Sequence, residues 1–117
     1  MSTASRRKGT EFETALVKHI RDRFGLRAER LRQSGAADQG DIAVDDVGLV
    51  YLIEAKAEKR ITLSAYVTES ETERGNYCRA RSIPESGVMP LAVVKRPGKG
   101  IGQAYVVITL DEFFGRD

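Results

Sequence analysis

Tryptophan is missing from this chain, and cysteine and histidine occur once each, as Cys78 and His19. A lone cysteine cannot close an internal disulfide, and without a cysteine–histidine cluster no structural zinc site can form, so the fold must hold together by burial. A reducing, cytoplasmic setting is expected. No stretch reaches the roughly 18 consecutive apolar residues of a membrane-spanning helix, and the opening MSTASRRKGTEFE lacks the apolar run of a signal peptide. Neither sign of charge dominates: 19 Lys and Arg against 17 Asp and Glu leave a net charge of +2, so any attraction to a polyanion must come from where the charges lie. Four tyrosines and four phenylalanines offer few platforms for stacking unpaired bases. What is present is ordinary globular material. Hydrophobic residues make up 41% and charged ones 31% of 117 residues, enough for one domain that buries roughly two thirds of its unfolded surface.

Basic residues gather at Arg6-Arg7-Lys8, at Arg27, Arg30 and Arg32, at Lys59-Arg60, and at Lys95-Arg96 with Lys99. Acids gather at Asp45-Asp46 and in TESETE, residues 68–73. A phosphate-binding face and a merely solvated surface both fit this clustering. Residues 1–8 are small, polar and basic without periodicity, and are expected as a flexible arm. Thr10 and Glu13 then have the spacing of a capping box, and Phe12, Leu16, Ile20 and Phe24 recur at a helical period until Gly25. His19 falls at the boundary of that apolar stripe and is assigned no chemistry. A short edge strand is expected over Leu26–Leu31, followed by the loop RQSGAADQG, residues 32–40. Further on, Thr68 and Glu71 form a second capping box, which predicts a helix from about Thr68 to Ser82. MPLAVVK and AYVVITL read as strands joined by the hairpin loop RPGKGIGQ, which lacks the spacing of a P-loop. DEFF reads as one terminal helical turn begun by Asp111.

The most strand-like part of the chain is also the most chemically suggestive. DIAV and LVYLIEAK are joined by Asp45-Asp46-Val47-Gly48 and read as an antiparallel hairpin. Side chains alternate along a strand, so Leu52, Glu54 and Lys56 share one face. A turn centred on Asp46–Val47 sets Asp41 opposite Leu52 and diagonal to Glu54, within roughly 7 Å at Cβ, so Asp41, Glu54 and Lys56 converge. A one-residue slip would send Asp41 to the other face. Two carboxylates this close repel unless something positive lies between them, and an all-oxygen pair favours magnesium or manganese over zinc. Such an ion can polarise a phosphodiester, and Lys56 can stabilise developing negative charge. From these three residues alone, an intrastrand Glu54–Lys56 ion pair at the rim of a sheet remains the alternative.

An Asp followed by Glu-x-Lys, here Gly40-Asp41 and Glu54-Ala55-Lys56, resembles the PD-(D/E)xK nuclease superfamily. RRKGTEFETALVKHI is similar to the first helix of its archaeal-type Holliday junction resolvases, where a glutamate follows the glycine by four residues; that glutamate corresponds to Glu13. RQSG resembles the family's loop before the aspartate, with Ser34 as its serine, and GVMPLAVVK followed by AYVVI resembles its last two core strands. The resemblance covers residues 6 to 110. It implies a restriction-endonuclease-like α/β core over residues 9–117, a mixed β-sheet flanked by helices. It implies catalysis by Glu13, Asp41, Glu54 and Lys56, with Ser34 alongside, on magnesium or manganese held by Asp41, Glu54 and Glu13. The implied partner is branched double-stranded DNA, above all four-way junctions cut by a homodimer in DNA recombination and repair. Arg6, Arg7, Lys8, Arg30, Arg32, Lys59 and Arg60 flank these segments as a candidate phosphate track. A nicking or fork-cleaving endonuclease, and a non-catalytic DNA-binding module on the same fold, are the alternatives.

Overall fold

Alternation of side chains along the hairpin sets the architecture. In the computed structural model, which describes residues 3–32 and 37–115, five strands form one mixed sheet in chain order: β1 (Arg27–Arg30), β2 (Ile42–Asp46), β3 (Leu49–Lys56), β4 (Val88–Val94) and β5 (Tyr105–Val107). Neighbours pair antiparallel except β3 and β4, which run parallel. A parallel pair needs a long crossover, and α2 (Leu63–Arg81) supplies it. The chain enters through α1 (Thr3–Phe24) and leaves through α3 (Leu110–Phe114).

Ile42, Val44, Ile53 and Val93 turn to one face of the sheet and pack on Phe12, Leu16 and Val17 of α1. Ala43, Leu52 and Val88 turn to the other and meet Tyr77 and Cys78 of α2, while Tyr66 of α2 covers Ala92 and Val94. With a helix on each side, β4 is buried at every position but Leu91, as expected of a strand covered on both faces. The radius of gyration of 13.7 Å is that of one compact domain of this length. No helix among the described residues is long and apolar enough to cross a membrane.

The expected mixed sheet, edge strand β1 and hairpin are all present. Three helix starts differ, each for a physical reason. Thr10 and Glu13 do not open α1; the helix begins at Thr3 and takes in Arg6-Arg7-Lys8, strong helix formers that carry it back through the segment expected to be an arm. Thr68 does not open α2. Burial of Tyr66 against β4 starts that helix five residues earlier, with Thr62 at the N-cap position, and tertiary packing overrides the local capping signal. At α3 the cap is Thr109 rather than Asp111, its hydroxyl accepting from the Glu112 N–H at 3.2 Å.

The hairpin turn is centred on Val47–Gly48, one residue later than expected, with Ile42 facing Ile53 and Asp46 facing Leu49. Both turn residues have positive φ, 40° for Val47 and 83° for Gly48. This two-residue geometry matches strand twist and suits Asn-Gly, yet the first position holds a fully exposed valine. Val47→Asn should therefore raise unfolding stability by about 1 kcal/mol in a denaturant titration. A loss of stability would show that this turn is not under backbone strain.

Candidate active site

Asp41 stands just before β2, and the backbone fixes it from several directions. Gly40 has φ 98°, and a Cβ there would lie 3.2 Å from two carbons of Leu52, so only glycine lets the chain pass this close to β3. The Asp41 N–H donates to Ile53 O at 3.0 Å, its carbonyl accepts from the Leu31 N–H at 2.8 Å, and its Oδ2 accepts from the Ala55 N–H at 2.8 Å. The ladder ends at Ile42–Ile53; one residue before it, Asp41 bonds Ile53 O through its N–H and the Ala55 N–H through its carboxylate, which brackets Glu54 rather than setting Asp41 opposite Leu52. The turn's shift moved the register by two residues, which preserves the face.

Glu54 and Lys56 follow Leu52 on the α2 side of the sheet. Glu54 is 5% exposed; its Oε2 lies 3.1 Å from Lys56 Nζ, while Oε1 has no hydrogen-bond partner. Lys56 Nζ also reaches Glu69 Oε1 of α2 at 2.8 Å and sits 5.3 Å above the Tyr66 ring. A solvated ion pair at a sheet rim is thus excluded, because both partners are turned inward beneath a helix.

From α1, Glu13 reaches the same place. Glu13, Asp41, Glu54 and Lys56 all line one cleft of about 580 Å³. Among the basic residues expected near DNA, Arg6, Lys8 and Lys59 line that cleft. Arg30 is paired to Glu13 at 3.1 Å, and Arg7, Arg32 and Arg60 are exposed beyond the cleft lining. Ser34 lies outside the described residues.

Glu69, Glu73 and Asp38 were missed in the sequence. Ligand atoms of Asp38, Glu54, Glu69 and Glu73 lie within 4.8 Å of one another. Glu73 is 2% exposed, and neither of its carboxylate oxygens has a hydrogen-bond partner. The signal was available once α2 is begun at Leu63. Tyr66, Ser70, Glu73 and Tyr77 form its buried stripe, so a glutamate occupies a core-facing position.

Carboxyl groups outnumber cations in this interior. Burial, then the charge of Asp41, pushes the Glu54 carboxyl up to about 8. Burial and the adjoining Glu54 push Glu73 up to about 11. Burial also raises Asp41, against the opposing Ala55 hydrogen bond, and raises Glu13, with Asp41 adding to the effect. Burial works against the Lys56 ammonium, but its bonds to Glu69 and Glu54 outweigh that and hold its proton more tightly. Orphaned, buried carboxylate oxygens with an all-oxygen donor set fit a hard divalent cation.

The sequence matches the family described as "Phage putative PDDEXK endonuclease" over residues 4–114. Among solved structures, Hjc of Archaeoglobus fulgidus, a Holliday junction resolvase from an archaeal hyperthermophile, is similar with a TM-score of 0.51 and 20% identity, over 80% of this chain and 68% of that one. At that identity the likeness shows the fold, a restriction-endonuclease-like core. No curated protein sequence matches this chain.

The carboxyl shifts have a definite consequence for stability. Glu54 favours its protonated form in the fold, so its contribution is complete below its ordinary 4.5 and is lost as pH rises through about 8. With a chelator present, the melting temperature should fall across that window. Glu73→Gln removes a buried ionisable group at nearly constant shape, and should flatten the fall and raise the melting temperature at its alkaline end. A melting temperature that climbs with pH over the same window would mean that these carboxylates are ionised and well paired.

Proposed function

This chain belongs to the phage PDDEXK endonuclease family, and from that membership we propose that it is a divalent-metal-dependent endodeoxyribonuclease of branched duplex DNA, cutting four-way junctions as a homodimer. The observation that carries the reading is the convergence of Glu13, Asp41, Glu54 and Lys56 on one cleft with Arg6, Lys8 and Lys59 on its walls. Asp41 and Glu54, with Glu13, would hold the cation. Bound there, magnesium or manganese supplies Lewis-acid polarisation of the scissile phosphate and lowers the pKa of a water.

The remaining work falls to the chain's own side chains. Lys56 carries a fixed positive charge into the cleft beside Glu54, suited to the negative charge that grows on phosphorus and the leaving oxygen. Glu13, tied to Arg30 at one oxygen, orients a water with the other. Arg6, Lys8 and Lys59 neutralise backbone phosphates without reading bases, which suits recognition of duplex shape. Paired cuts across a junction need two sites, and each chain has one, so a two-fold dimer is the simplest assembly. The exposed Tyr105, Val106, Leu110, Phe113 and Phe114 of β5 and α3 supply an apolar surface for it. A reducing compartment is part of the proposal and suits the free, buried Cys78.

The test incubates the protein with labelled four-way, forked, nicked and linear duplex DNA, with magnesium or with EDTA. Junction cleavage should require the metal. Asp41→Asn and Glu54→Gln should each lower the rate by orders of magnitude while junction binding persists, and size measurement should give a dimer. Equal cutting of every substrate by a monomer would replace the junction reading with a nicking endonuclease. Binding without cleavage under all conditions would leave a DNA-binding module.

Lys56→Gln separates catalysis from scaffolding. It keeps length and polarity but loses the charge, so cleavage should fall at least tenfold with DNA affinity nearly constant. An unchanged rate would confine Lys56 to balancing Glu54 and Glu69.

A further inference from the structure

We propose that Asp38, Glu54, Glu69 and Glu73 form a second divalent-cation site on the α2 side of β3, which shares Glu54 with the cleft and competes with Lys56 for its carboxylates. The proposal rests on the nuclease reading only for the neighbouring site at Asp41 and Glu13; the four ligands themselves come from the geometry.

Two observations carry it. The four side chains bring one oxygen each to within 4.8 Å of the others. Independently, Glu73 is 2% exposed, is drawn into that cluster, and has no hydrogen-bond partner at either oxygen; Glu54 Oε1 is in the same condition. Buried carboxylates are ordinarily paired or bound to a metal. Lys56 serves Glu54 at 3.1 Å and Glu69 at 2.8 Å, and among the described residues no ion pair reaches Glu73. To be ionised, Glu73 therefore still needs a positive partner.

The size of the cluster points to the kind of ion. Two oxygens on opposite sides of one cation lie about 4.2 Å apart around magnesium and about 4.6–5.2 Å apart around calcium. A spread of at most 4.8 Å suits oxygens gathered round a calcium-sized ion, and with contraction round manganese or magnesium. The ligands also have firm supports. Glu69 and Glu73 lie one turn apart on α2 and so share a face. The Asp38 carbonyl accepts from Asn76 Nδ2 of that helix at 2.7 Å, and Asp38 Oδ1 accepts from the Gly40 N–H at 3.0 Å, which ties the loop before Asp41 to the helix. A cation seated there takes Glu69 and Glu54 away from Lys56 and leaves the ammonium to the cleft that it already lines.

The test titrates manganese into the DNA-free, full-length protein and counts bound ions by calorimetry and by the electron-spin signal of free manganese. The wild type should bind two. Glu73→Gln and Asp38→Asn should each lose one ion or weaken it at least tenfold, and Asp41→Asn should lose the other. Asp38 is exposed, so its variant keeps the test valid if Glu73→Gln misfolds. Unchanged manganese binding in both Glu73→Gln and Asp38→Asn would overturn the site and mean that Glu54 and Glu73 merely share a proton. Ion loss in those variants, in a protein that cuts no DNA, would uphold the site and sink the nuclease reading instead.

Discussion

The structure turns on carboxyl groups buried in an interior with too little positive charge to keep them all ionised. Glu54 cannot avoid this position. It follows Leu52 by two residues on β3, so the pleat sends it to the same face, under α2, where it is 5% exposed. One ammonium, that of Lys56, answers both Glu54 and Glu69, while Glu73 stands beside them without a donor. Desolvating such groups costs several kcal/mol apiece unless partners compensate. The surrounding apolar packing sustains that cost, and the concentration of uncompensated oxygen is what makes the site fit a divalent cation.

Each neighbouring element is arranged around that excess. Gly40 admits the chain against Leu52, and Asp41 is then locked by three backbone hydrogen bonds, so its carboxylate cannot swing away from Glu54. The two helices divide the charges between them. α1 contributes Arg6 and Lys8 as well as Glu13, and β1 places Arg30 on Glu13. α2 contributes Glu69 and Glu73, beside Tyr66. The exposed lining of the cleft thus carries Arg6, Lys8 and Lys59 against the single acid Glu58, while the more buried Asp41 and Glu54 lie deeper.

The part of this arrangement governed by the two-residue period was legible in the sequence, and the part governed by burial was not. Misplacing the turn by one residue shifted the ladder by two, which keeps every paired residue on its face, and Asp41, Glu54 and Lys56 still converge on one cleft. The helix starts had no such protection. Thr10 and Thr68 offer good local caps, yet α1 is extended by residues of high helical propensity and α2 by burial of Tyr66, which depends on β4, a strand 22 residues away in sequence at its nearest end. The late start of α2 also hid Glu73. With the helix begun at Thr68, TESETE looks like a solvated acidic run; begun at Leu63, its third glutamate falls on the stripe of Tyr66 and Tyr77.

A floor of carboxylates is a poor place for a phosphate, and under the proposed function this opposition orders the events. DNA approaching the free cleft meets attraction at Arg6, Lys8 and Lys59 and repulsion from Asp41 and Glu54 beneath. A divalent cation held by Asp41 and Glu54 would remove the repulsion and so strengthen DNA binding, and by reciprocity DNA would strengthen cation binding by the same factor. The repulsion is felt most by a phosphate pressed to the floor and least by one held at the walls. A duplex can thus rest on the basic rim without a cation, while close approach of the scissile phosphate waits for one. Separating the rim from the floor in this way would keep binding and cutting distinct steps within a single small domain.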